Sequence, residues 1–208
     1  MLPFTETEFF AVFGRYNLAI WPAQIVAYAL ALVAIGALIF RPAWGAHAVF
    51  VVLALLWGWT GAAYHLGYFS TINPAAWLFG AAFILQAGLL AHHALKTGPA
   101  PERRRLDGVI GWTMIAYAAL LYPLLNGWLG HAYPQAPAFG VTPCPLTIFT
   151  FGLMSLAHAR LPWRLYAIPV VWSAIGGSAA LMLGVAADWA LPAAGLLALA
   201  LNTRKPAA

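Results

Sequence analysis

Three properties of this 208-residue sequence predict an all-α, polytopic membrane protein: its composition, the length of its apolar runs and the placement of its basic residues. Hydrophobic residues make up 63% of the chain and charged residues 7%, against roughly 25% charged in ordinary soluble domains. That composition excludes a soluble globular fold. A formal net charge of +5 points to nucleic acid only when the basic residues form a recognition surface. Here they sit at the ends of apolar runs, so the expected partner is the lipid bilayer and no nucleic acid is expected. A single cysteine excludes an internal disulfide and a thiolate-rich metal cage.

Residues 1–16 read as a short interfacial helix. Glu6 and Glu8 stand where a cleavable signal would carry positive charge, Thr5 and Glu8 have the spacing of a capping box, and Phe9, Phe10, Phe13 and Tyr16 offer an apolar side. A spanning helix needs ~20 apolar residues to cross ~30 Å of hydrocarbon. Seven runs follow, at about 18–40, 46–67, 74–95, 107–129, 144–160, 165–186 and 188–203, the fifth and seventh being the shortest. Asp107 and Asp188 stand at run starts and no ionised side chain lies in a run interior. A charge at the bilayer centre costs ~2.5–3.5 kcal/mol on insertion scales, so that spacing supports the boundaries. The expectation is one transmembrane domain over residues 1–208, with a seven-helix bundle at 18–203 and a tail at 204–208.

The basic residues test the count independently. Arg41 follows the first run, Lys96 and Arg103 to Arg105 the third, Arg160 and Arg164 the fifth, and Arg204 and Lys205 the seventh. The connections after runs two, four and six carry none. Nine of ten Lys and Arg therefore fall on one side, which the positive-inside rule makes cytoplasmic. The N-terminus is then outside and the C-terminus inside. Trp21, Trp44, Trp77, Trp128, Trp163 and Trp189 fall at run ends, as interfacial anchors do, whereas Trp57 and Trp172 lie deeper. Gly80 to Ala82 and Gly176 to Ala180 are small-residue stretches suited to close helix packing.

Polar residues collect in the outer third, and seven of them are candidate ligand-binding residues: Tyr64, His65, Asn73, Tyr122, Asn126, His131 and Cys144. His65 shares a four-residue stripe with Gly61 and Trp57, so the missing side chain at Gly61 leaves room beside the imidazole. Asn126 and Tyr122 flank Pro123, which cannot donate to the carbonyl of Ala119 and so leaves an acceptor for a neighbouring group. Asn73-Pro74 and Asp188 read as helix caps. In Thr142-Pro143-Cys144-Pro145-Leu146-Thr147 the prolines suit a first helical turn and place Cys144 where the helix dipole favours a thiolate. His65, His131 and Cys144 together would suit a Cu or Zn ion. His47, His92, His93 and His158 lie at inner helix ends and read as interfacial.

Several classes are missing their residues. No carboxylate lies mid-membrane for a proton relay, no lysine lies within a run for a Schiff base, and nucleotide-loop, His-Glu-x-x-His, haem-attachment and nucleophile-elbow patterns are absent. Catalytic residues are therefore unassigned. Ile20 to Gln24, Trp59-Thr60-Gly61 with Tyr64-His65, Ile72 to Ala76 and Gly140 to Phe149 resemble the hallmark segments of an uncharacterised bacterial family of small multi-pass membrane proteins, a domain of unknown function. The resemblance spans nearly the whole chain. Its most specific segment is Thr-Pro-Cys-Pro, and Leu146 stands where the resemblance implies Thr. It implies location in a bacterial inner membrane and no established activity.

Three functions remain open on these residues. One is binding or transport of a small solute or metal ion in an outward-facing pocket. Another is a membrane oxidoreductase or thiol-dependent enzyme using Cys144 with a histidine base. The last is an accessory structural subunit of a membrane complex.

Overall fold

The computed structural model describes residues 3–98, 105–157 and 160–203. Arg103, Arg104, His158, Arg204, Lys205 and the expected tail lie outside the described residues. The helices are α1 (Glu6–Ala19), α2 (Ala23–Phe40), α3 (Gly45–Trp59), α4 (Ala76–Ala94), α5 (Arg105–Ala116), α6 (Tyr122–Trp128), α7 (Pro143–Ala157), α8 (Arg164–Leu183) and α9 (Ala190–Thr203), with no strand among the described residues. A π-helical segment, Tyr117–Leu121, joins α5 to α6 in one rod, and another, Thr60–Leu66, continues α3. Counted as rods, the described residues form eight helices.

Five of these are long and apolar enough to cross a membrane: Ala23–Phe40, Gly45–Thr71, Ala76–Ala94, Gly108–Trp128 and Arg164–Leu183. The expected seven spans are thus not all of spanning length. At 15 and 14 residues, α7 and α9 reach only about 22 Å at 1.5 Å per residue. The reason is visible for α7, because all fifteen of its residues are buried between α2, α3, α5, α8 and α9. A helix sheathed by protein need not match the bilayer's thickness. The outer surface is apolar instead: Leu32, Leu78, Leu124 and Leu196 are exposed, and the six tryptophans expected at run ends are 59–84% exposed. Apolar surface on that scale is what lipid covers.

Glycines set the closest helix approaches, as small residues do where lipid gives no hydrophobic drive between helices. A Cβ at Gly152 of α7 would stand 2.8 Å from the Gly111 carbonyl oxygen of α5. Gly80 accepts Leu66, and Gly176 and Gly177 accept Leu191 and Pro192 of α9. Gly61 does the same rather than clearing space for His65, since a Cβ there would lie 3.0 Å from both the Gly80 carbonyl and Phe83 Cβ.

Prolines create a second packing rule. A helical proline removes an N–H and frees the carbonyl four residues before it, and at Pro123, Pro169 and Pro145 a distant side chain takes that carbonyl. Pro123 frees Ala119, which accepts from the Tyr28 hydroxyl at 2.9 Å, and the neighbouring Tyr117–Leu121 segment widens to π geometry. Pro169 inside α8 frees Leu165, which accepts from Gln86 Nε2 at 2.9 Å. Pro145 has no N–H for Val141, which accepts from the Tyr16 hydroxyl at 2.7 Å.

The first helix packs its apolar side on protein. Thr5 and Glu8 do form the capping box, and the Thr5 backbone N–H followed by its hydroxyl holds the Glu8 carboxyl below its ordinary value. The box therefore persists at neutral pH and weakens as acid protonates Glu8. Phe9, Phe10, Phe13 and Tyr16, however, are buried against protein: Phe13 stacks on Tyr64 and Phe9 meets Phe69. In this packing α1 closes one end of the bundle. The Tyr16 hydroxyl donates to Val141 and accepts from Trp59 Nε1 at 3.0 Å, and burial raises its phenol above the ordinary range. Tyr16→Phe orphans both partners and is expected to cost about 1–3 kcal/mol in reversible unfolding measured in micelles.

Candidate functional site

Beneath α1 the helix ends enclose a cavity of about 120 Å³. Phe4, Phe9 and Phe13 reach it from the N-terminal segment, Tyr64, Phe69, Asn73 and Phe79 from the α3–α4 region, Pro143 and Cys144 from α7, Trp172, Ile175, Gly176, Ser178 and Ala179 from α8, and Asp188 from the turn before α9. The lining is therefore mostly apolar, with seven aromatic rings among fifteen residues and few polar groups, the composition expected of a small-ligand site. Gly176 shapes one wall: a Cβ there would meet Leu191 and would lie 3.6 Å from Cys144 Sγ and 3.7 Å from Trp172 Nε1. Thiol and indole nitrogen thus approach the same point.

Asp188 is the polar centre of this end. Its carboxylate accepts from the Tyr122 hydroxyl at 2.5 Å and lies beside the Cys144 thiol. It is 4% exposed. Among the described residues no Lys, Arg or His forms an ion pair with it, the ion pair found there being His131 with Glu6. The helix-cap reading of Asp188 is replaced by this side-chain bond, which the sequence concealed because its partner is 66 residues away. A useful signal was present: Tyr122 and Asp188 both fall at the outer level of their runs. For Cys144 the neighbouring carboxyl is the reverse of the electropositive surroundings that activate a thiol.

The seven candidate residues separate. Tyr64, Asn73 and Cys144 line the cavity, and Tyr122 holds Asp188. Asn73 also accepts from the Ala75 N–H at 3.1 Å, the turn-capping bond its position predicts. Asn126 stays inside its own helix, donating to the Tyr122 carbonyl at 2.9 Å. His131 stacks on Phe10 with ring centroids 3.6 Å apart and pairs with Glu6 at 3.8 Å, so it braces α1 from the side. His65 is fully buried, boxed by Phe69, Phe79, Phe83 and Trp172, and neither ring nitrogen has a hydrogen-bond partner.

These placements correct the metal set. His65, His131 and Cys144 do not converge, and among the described residues no three His, Cys, Asp or Glu side chains are grouped to hold a metal ion. One cause is that His65 faces α4: Trp57, Gly61 and His65 keep a common side and all three meet Phe83, which puts the imidazole in the ring box. The other cause is α1, whose docking claims His131. A Cys144–His65 nucleophile and base are likewise not hydrogen-bonded.

Asn17 is a polar residue whose role the sequence left unstated. Its Nδ2 donates to the Pro134 and Ala136 carbonyls at 2.7 and 2.8 Å, and its carbonyl accepts from Gln24 Nε2 at 2.8 Å. It fastens the 130–142 connection to α1. A family model described as a family of unknown function, DUF6064, matches residues 6–207. The chain belongs to DUF6064. The match reaches from α1 through α9, so the helix that closes the cavity is part of DUF6064 as well as the bundle beneath it. No curated protein and no solved structure matches the chain.

Proposed function

We propose that this chain is a multi-pass protein of the bacterial inner membrane that holds a small solute in the cavity beneath α1, at the outer end of the bundle. Seven membrane-embedded rods, an outside N-terminus and a cytoplasmic C-terminus fit the nine basic residues on one side and the five rods of spanning length. A solute bound near Tyr64, Asn73 and Cys144, with Tyr122 holding Asp188, would be in binding or transit. The observation that carries this reading is the cavity itself: about 120 Å³ among aromatic side chains, with a carboxyl and a thiol in its wall. That is room for about four waters at liquid density, enough for a compact branched group.

The test uses a small neutral probe. In maltoside micelles, 3,3-dimethylbutan-1-ol is expected to raise the unfolding midpoint in a saturable manner, as any ligand of the folded state does. Ala179→Phe puts a ring into the cavity wall and is expected to remove the effect. A probe response that never saturates, or that is identical in the filled variant, contradicts the reading.

A further inference from the structure

We propose that the solute carries a methylated ammonium group, the chemistry that a carboxylate inside an aromatic box recognises. The inference rests on the cavity being a solute site and adds the charge and shape of what enters it.

The argument begins with sign. Asp188 is a carboxylate taken out of water at the cavity wall, and among the described residues it has no cationic partner. Desolvating a carboxylate is costly unless an opposite charge or several donors compensate. Tyr122 supplies one hydroxyl at 2.5 Å, and the Cys144 thiol lies beside the carboxyl. A cation in the cavity would supply the missing charge, whereas an anion would be repelled and a neutral solute could offer at most a hydrogen bond. The walls agree with that sign: Phe9, Phe69, Phe79, Tyr64 and Trp172 all line the cavity, and the faces of aromatic rings carry partial negative charge.

Shape and hydrogen-bonding capacity narrow the cation. A primary ammonium or guanidinium brings three to five N–H donors, each needing an acceptor when buried. Beside Asp188 the wall carries only scattered acceptors, among them Asn73 Oδ1, which already takes the Ala75 N–H, and the Ser178 hydroxyl, whose hydrogen goes to the Ile175 carbonyl, while most of the wall is apolar. A quaternary or fully methylated nitrogen has no donors to satisfy and presents methyl groups to the rings. One buried donor at the cavity, Trp172 Nε1, has no oxygen acceptor and only the Cys144 sulfur beside it. It would take an oxygen carried on the same solute. The same trimethylammonium chemistry occurs on a free solute and on a phospholipid headgroup, and the experiment separates the two.

Choline and 3,3-dimethylbutan-1-ol have the same shape and differ in one atom, N⁺ against C. In maltoside micelles at fixed ionic strength, choline is expected to reach half-saturation of the unfolding-midpoint shift at about tenfold lower concentration than the alcohol. A sulfonate of similar size, 3,3-dimethylbutanesulfonate, is expected to give no shift. Asp188→Asn is expected to raise choline's half-saturation concentration about tenfold, and an unchanged value in a folded variant overturns the role given to the carboxylate. Should that variant fail to fold, the three probes on the native chain decide the matter alone. Displacement of choline by dihexanoylphosphatidylcholine at lower concentration than choline itself assigns the group to a lipid headgroup, and the reverse order assigns it to a free solute; either supports the proposal. Equal half-saturation by choline and the alcohol overturns it while leaving the cavity as a neutral-solute site. No saturable shift with any probe overturns both.

Discussion

Replacing Gly152 with alanine is expected to destabilise the bundle by about 1–3 kcal/mol, and replacing it with valine by more, because overpacking strains rigid neighbours. The Cβ of either residue would lie 2.8 Å from the Gly111 carbonyl oxygen, 2.8 Å from Ile115 Cγ1 and 3.1 Å from the Ile115 nitrogen. Two of those three atoms belong to the backbone, so rotamer changes cannot clear them and α5 must separate from α7. Because α7 is buried along its whole length, that separation reaches the middle of the bundle. Gly88→Ala is the control, since a Cβ there meets nothing within 4 Å. Reversible unfolding in micelles should show a large midpoint loss for Gly152 variants and little change for Gly88→Ala. Equal effects at both positions would mean that the α5–α7 crossing does not limit stability.

The second large effect is expected at Tyr122 and Asp188. Tyr122→Phe keeps the ring and removes the hydroxyl that donates to a buried carboxylate at 2.5 Å. Hydrogen bonds to charged groups contribute about 1.5–3 kcal/mol, and the remaining carboxylate keeps its desolvation cost. Asp188→Asn removes the charge but leaves an amide to pair with Tyr122. In a double-mutant cycle the combined variant should be less destabilised than the sum of the single changes, with an interaction of about 1–3 kcal/mol. Strict additivity would show that the two side chains do not interact in the folded protein.

Much of the fold can be read from the residues where the rule is local. The Thr5–Glu8 capping box, the exposed tryptophans at run ends and the helix contacts at Gly80, Gly176 and Gly177 all follow from nearest-neighbour or compositional physics. Pro123 shows how far such reasoning reaches: a missing N–H identifies the Ala119 carbonyl as an unsatisfied acceptor, and the structure supplies Tyr28 as its donor. The donor itself, 91 residues away in sequence, is not a local property.

The candidate site was less legible for the same reason. Tyr64, Asn73, Tyr122 and Cys144 can be singled out because polar groups among apolar runs are few, and three of them, Tyr64, Asn73 and Cys144, line the cavity. Nothing local shows α1 folding back to stack Phe10 on His131. The ring box around His65 draws on Phe79 and Phe83 of α4 and Trp172 of α8, which no local pattern points to. Capping suffices to explain an aspartate at a helix start such as Asp188. Only the tertiary fold brings Tyr122 and Cys144 to it.

Saturation transfer in magnetic resonance tests the solute site most directly. Maltoside detergent has no aromatic protons, so irradiating ring resonances excites the protein alone. A probe seated among Phe9, Phe69, Phe79 and Trp172 should then lose methyl intensity, and Ala179→Phe should abolish the loss. Methyl signals that are unaffected, or attenuated equally in the filled variant, would show that small solutes do not enter the space beneath α1.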